Sequence, residues 1–131
     1  MRTRHPFHPV PEIELDHVQI AAPPGCEAAA RRFFGELLGL AEIEKPKPLR
    51  ARGGAWFAIG ERRLHVGVEA EFEPARKAHV ALRVAPAEID DLAERLAAAG
   101  APVIWDDALP GERRFYSEDP WGNRIEFLAS I

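Results

Sequence analysis

The chain has 131 residues, with 21 acidic against 17 basic side chains and a formal net charge of −4. Both signs are mixed along it, which leaves no basic stripe for nucleic acid, and no apolar run approaches the ~20 residues of a membrane span or follows a positively charged start as in a secretory signal. A lone cysteine, Cys26, excludes an internal disulfide framework and fits a reducing compartment, so the expectation is one cytoplasmic domain with a single core.

Residues 1–12 are rich in proline and lack periodicity, which predicts an extended arm; His5 and His8 in it are bystanders. From His17 to Ala22 apolar residues alternate with His17, Gln19 and Ala21, the period-2 pattern of a half-buried strand. A helix is predicted from Gly25 to Leu38, with Ala30, Phe33, Phe34, Leu37 and Leu38 on one face and Gly39 as its C-terminal cap. Short strands follow at Glu42–Glu44, Ala55–Ile59 and Arg63–Glu69. The order then repeats: a strand at His79–Val84, a helix from Pro86 to Ala99 capped by Gly100, and strands at Val103–Asp106, Arg113–Ser117 and Arg124–Ala129. Asp119-Pro-Trp-Gly-Asn123 reads as the tight turn before the last strand, with Gly122 and Asn123 suited to left-handed backbone and Trp121 exposed or at an interface. Strand-helix-strand-strand-strand, twice, gives an α+β fold of two tandem βαβββ modules, 13–71 and 76–131, with curved mixed sheets around a cleft and helices outside.

The duplication also carries chemistry. His17 and His79 open equivalent strands 62 residues apart (79 − 17), while His65 and Glu126 stand 61 apart (126 − 65). Each is a metal-competent side chain at a matching strand position. Three imidazoles and one carboxylate form a mixed N/O donor set suited to Zn, Fe, Mn, Co or Ni, with coordination places left for a small-molecule substrate. For this set to act as one site, the concave sheets of two modules must face one another. Taken singly, each strand histidine has a plainer reading as a hydrogen-bonded core residue.

His17, Lys77-Ala-His79-Val-Ala-Leu and Glu118-Asp-Pro-Trp-Gly-Asn-Arg-Ile-Glu126 resemble the most recognisable segments of the vicinal oxygen chelate superfamily, which includes glyoxalase I, bleomycin and fosfomycin resistance proteins and extradiol dioxygenases. The resemblance runs from about Ile13 to Ala129. It implies that His17, His79 and Glu126 are metal ligands and that His65 stands where glyoxalase I-like members carry a fourth ligand, commonly glutamate, so that it either ligates or stands beside a three-ligand site as a hydrogen-bond partner. It also implies chelation of adjacent substrate oxygens by a divalent metal, stabilisation of a developing oxyanion, and a catalytic role for Glu126 as the base. Glyoxalase-like isomerase or lyase chemistry is favoured; a dioxygenase, or a non-catalytic protein that sequesters a drug or metabolite, is the alternative. Members of this length usually dimerise, so the expected cleft is shared, with His17 and His65 of one chain meeting His79 and Glu126 of the other.

Strand parity nominates further substrate contacts. Gln19 flanks His17, Trp56 could wall the cleft, Arg124 shares the Glu126 face, and Arg114 and Tyr116 share a face and match cleft positions of fosfomycin resistance members. The competing reading makes Arg113, Arg114 and Arg124 solvated strand-edge charges and Trp56 plain core. Cys26 lies at the start of the first helix, where the macrodipole is expected to lower its thiol pKa, but no histidine is placed to partner it.

Overall fold

The computed structural model describes residues 11–131, so most of the expected N-terminal arm, with His5 and His8, lies outside the described residues. The alternating runs form eight strands: β1 (His17–Ala22), β2 (Glu42–Ile43), β3 (Ala55–Ile59), β4 (Arg62–Val68), β5 (Val80–Arg83), β6 (Ile104–Asp106), β7 (Glu112–Glu118) and β8 (Arg124–Ser130). They make two four-stranded sheets of matching order, β1-β4-β3-β2 and β5-β8-β7-β6. In each, the first and last strands of the module pair in parallel and the rest pair antiparallel. Equivalent residues sit at equivalent registers: Trp56 pairs with His65 on β3–β4 as Tyr116 pairs with Glu126 on β7–β8. The duplication read from side-chain spacing is therefore a duplication of hydrogen-bonding topology.

The alternation sorts each strand into a core side and an opposite side, which carries the candidate ligands. Phe57, Leu64, Val66, Phe115, Ile125 and Phe127 are buried in one cluster with Phe33, Phe34, Ile89, Leu92 and Leu96 from the helical segments. The helices thus cover the face opposite His65 and Glu126, which point the other way but are themselves buried.

The first helix differs from its expected form. An α-helical turn, α1 (Glu27–Ala30), passes into a π-helical segment, Arg31–Leu37, in which the Leu38 N–H reaches back five residues to the Phe33 carbonyl at 3.0 Å. Such widening is a single-turn device in most helices; here Gly35, without a side chain to crowd the turn, lies within it. The second helix, α2, is shorter than expected at Ile89–Ala98, because Pro86 to Glu88 form a turn rather than the first helical residues. A 3₁₀ helix, Lys47–Arg52, occupies a proline-spaced stretch that periodicity leaves unassigned. Strand β5 begins at Val80, so His79 lies just ahead of it.

Gly39, Gly100 and Gly122 all have positive φ, as their capping and turn positions require. Asn123 does not share that conformation; no described residue other than glycine does. Its contribution comes from the side chain instead. Asn123 is buried, and its Nδ2 donates to the Ala21 carbonyl and to Asp119 Oδ2, both at 2.8 Å, while its Oδ1 accepts from the Ala75 N–H at 2.9 Å. One amide therefore ties β1, the connection between the modules, and the turn before β8. Trp121 is neither exposed nor free: it is partly buried against the core, 6.5 Å from the Phe34 ring.

Candidate metal centre

In the first module, adjacent strands stack three rings. The register opposes Trp56 to His65 across β3–β4 and Gln19 to His65 across β1–β4. Trp56 lies flat on His65, with centroids 3.9 Å apart and planes 1° from parallel; His17 covers the same ring at 4.0 Å and 16°. The His65 ring is sandwiched and its torsional freedom largely removed. Its Nε2 is buried with no hydrogen-bond partner among the described residues. Burial, followed by the nearby His17, pushes the His65 pKa below its ordinary 6.5. The ring therefore stays neutral at neutral pH and keeps a lone pair to offer. His17, half exposed, makes a 2.8 Å contact from Nδ1 to Asp16 Oδ2, which, with the proton on Nδ1, leaves Nε2 as its lone-pair nitrogen.

In the second module, His79 Nδ1 lies 3.0 Å from the Lys77 carbonyl and Nε2 lies 2.9 Å from Glu126 Oε1. A carbonyl only accepts, so Nδ1 carries a proton; the Nε2 of a neutral ring then presents a lone pair toward a carboxylate. That contact is satisfied by an imidazolium proton or by a cation that takes both lone pairs. Glu126 Oε2 accepts from Arg114 Nη1 at 3.3 Å, and Arg114 Nη2 donates to Asp106 Oδ1 at 3.3 Å. Arg114 is mostly buried and its Nε has no partner among the described residues, so it is not the solvated strand-edge charge of the plainer reading. Tyr116 stands edge-on to His79 at 5.8 Å, with Arg124 over its ring at 4.2 Å and Arg114 at 5.5 Å. Arg113 turns away, pairing with Asp90 and lying 4.0 Å over Trp105.

The structure thus gathers the expected residues into two sets: His17, His65, Trp56 and Gln19, and His79, Glu126, Arg114, Tyr116 and Arg124. It does not merge them within one chain: among the described residues no group of three or more His, Cys, Asp or Glu side chains could hold a metal ion. The two modules of a single chain do not bring all four candidate ligands to one point. A cavity of about 340 Å³ between the modules touches Gln19, His79 and Arg124. Cys26 departs from its expected chemistry: it is buried, and burial and then Glu27 push its thiol pKa up, opposite to the expected lowering. Sequence pattern does not single out Asp106; its register opposite Arg114 on β6–β7 is the signal that places it.

Residues 14–127 match the sequence profile of the Glyoxalase/Bleomycin resistance protein/Dioxygenase superfamily. Among solved structures, a glyoxalase family protein from Bacillus anthracis is 46% identical, with 100% of both chains covered and a TM-score of 0.85. A lactoylglutathione lyase from Agrobacterium tumefaciens shares the fold at 19% identity and TM-score 0.69, covering 91% of this chain and 94% of its own. So does a variant of a fosfomycin resistance protein from Listeria monocytogenes, complexed with Mn(II) and 1S,2S-dihydroxypropylphosphonic acid, at 19% identity, TM-score 0.74 and coverage of 90% and 92%. No match was found among curated proteins.

Proposed function

The chain belongs to the glyoxalase/bleomycin resistance protein/dioxygenase superfamily, and on that premise we propose that it is a divalent-metal-dependent enzyme that binds a small oxygenated substrate and stabilises the oxyanion developing on it. The observation that carries this reading is the His65 Nε2 atom, neutral, clamped between two rings, buried and without a partner among the described residues. A native buried ring nitrogen in that state needs a partner, and with the ring proton on Nδ1 that partner is one that takes the Nε2 lone pair. With His17, His79 and Glu126 it completes an N/O donor set that fits Zn, Fe, Mn, Co or Ni. The fold neighbour bound to Mn(II) and a dihydroxyphosphonate supports a metal and an oxygen-rich substrate.

Because each chain offers the four donors as two separated pairs, the reading includes a twofold dimer in which His17 and His65 of one subunit face His79 and Glu126 of the other. A monomer at micromolar concentration by light scattering would contradict it. A metal bound there supplies Lewis acidity toward adjacent substrate oxygens. The rest is done by the chain's own residues. Arg114 holds Oε2 of Glu126 and His79 Nε2 stands against Oε1; once Oε1 leaves that partner for the substrate, it takes a proton from carbon beside a carbonyl, in isomerase or lyase chemistry. Arg124 and Tyr116 supply donors for an anionic or developing oxyanionic group. Trp56 and Gln19 wall the opposite side.

The role of Glu126 is tested with Glu126→Gln: a protein that keeps its metal and loses proton abstraction supports it, and full activity removes it. One observation favours a metal-free sequestering protein: both Glu126 oxygens already have partners, in His79 and Arg114. Metal-free protein that tightly binds an aromatic drug would establish that second reading.

A further inference from the structure

The two modules match in register but not in what fills the side that carries the candidate ligands. Two residues beyond the Tyr116–Glu126 pair, the second module places Arg114 opposite Leu128. Two residues beyond the equivalent Trp56–His65 pair, the first module has only Gly54 and Gly67. Gly54 is structurally enforced, whereas at Gly67 only a flexible side chain fills the space a Cβ would take. A Cβ on Gly54 would lie 2.0 Å from the Val66 carbonyl oxygen, at φ +83°, and one on Gly67 would come within 2.8 Å of the Gln19 amide. Beside Gly67 lies a cavity of about 270 Å³ lined by Gln19, Lys45, Leu49, Arg52, Trp56 and Gly67 among others.

Its charges are of one sign. Of the neighbouring carboxylates, Glu44 pairs with Arg50, and Glu27, beside Gly53, is not among the lining residues and accepts the Gly54 N–H at 2.7 Å. Lys45 donates to the Gly53 carbonyl and forms no ion pair among the described residues. Arg52, at the end of the 3₁₀ helix, has no carboxylate partner among the described residues. Resting on the reading of the metal centre given above, we infer that this cavity is a specificity subsite for the anionic end of an elongated substrate. Gly67 is two strand residues from His65 on the same face, about 7 Å along β4. The substrate class is therefore a small organic acid, carboxylate or phosph(on)ate, whose negative group is separated from its metal-binding oxygens by a short apolar stem. The stem passes between Trp56 and Leu49, and the head meets Arg52 and Lys45.

The test is calorimetric titration of the full-length protein in chelator-containing buffer with 3-phenylpropionate, 2-phenylethylphosphonate and the neutral 3-phenylpropan-1-ol. Both or one of the anions should bind, at least about tenfold more tightly than the alcohol, and Arg52→Ala should remove about tenfold of that affinity, as expected for one charge-assisted hydrogen bond. Gly67→Leu, which copies the side chain of the second module into the cavity, should abolish binding, while Arg76→Ala, lining a different cavity, should leave it unchanged. Binding of one anion alone identifies a carboxylate- or a phosph(on)ate-bearing substrate. Equal binding of the alcohol, indifference to Arg52→Ala, or no anion binding to the wild-type protein would overturn the inference. Because chelator is present throughout, this outcome is independent of whether the four donors hold a metal.

Discussion

Replacing Asn123 with alanine removes three side-chain hydrogen bonds at once: to the Ala21 carbonyl, to Asp119 Oδ2 and from the Ala75 N–H. Each neutral bond contributes about 1 kcal/mol net, and a buried backbone group left without a partner costs about 1–3 kcal/mol, so the expected loss is about 3 kcal/mol. Urea unfolding followed by far-UV circular dichroism measures it, as a lower midpoint at unchanged slope. Asn123→Asp keeps an acceptor for Ala75 but turns a carboxylate toward Asp119 and the Ala21 carbonyl, so it should be at least as destabilising at neutral pH. A loss below about 1 kcal/mol for the alanine variant would show that the amide is not the tie between β1 and the turn before β8.

Three further outcomes follow from the geometry. Trp56→Ala should weaken metal binding about 2- to 12-fold, because a stacked aromatic pair is worth about 0.5–1.5 kcal/mol in holding the His65 ring; Trp56→Phe should recover much of it, and unchanged affinity by competition with a chelating dye would refute the positioning role. Gly54→Ala should cost about 2 kcal/mol or more, from positive φ and the clash with the Val66 carbonyl, and a neutral effect in urea unfolding would contradict the packing described. Burial raises the Asp119 carboxyl above its ordinary 3.8, against the opposing pull of its hydrogen bonds to Asn123. The folded state then holds that proton more tightly than the unfolded one, so this contribution to stability is complete below pH 3.8 and is lost as pH rises through the raised value. The wild type minus Asp119→Asn difference in unfolding free energy should fall across that window; a rise would reverse the assignment.

Much of the fold is legible in the amino-acid sequence. Alternation and turn residues place the strands because a strand half-buried in a sheet must alternate, and the near-equal spacing of His17–His79 and His65–Glu126 exposes the duplicated topology. Other features depend on contacts that local pattern does not encode. The π-helical register of Arg31–Leu37 rests on five-residue backbone bonds, whereas its apolar spacing reads equally well as α. Asn123 looks like a turn residue, and only tertiary packing brings its amide to Ala21, 102 positions away. Residue type names the metal-competent side chains, but their separation into two pairs is set by how the modules pack. The buried state of Arg114 likewise depends on Asp106 and Glu126 arriving from neighbouring strands on either side of β7.

The shared metal site is tested most directly by complementation between two variants, His65→Ala and Glu126→Ala, each purified without chelators and analysed for Zn, Fe, Mn, Co and Ni. The wild type should carry near-stoichiometric metal and each variant alone almost none. Unfolded together in equal amounts and refolded, the pair should regain about a quarter of the wild-type content, since about half of randomly assorted dimers are mixed and each mixed dimer holds one intact site of two. Metal-free wild-type protein, even after reconstitution, would contradict the metal centre, and metal-binding wild type without recovery in the mixture would contradict its assembly from two chains.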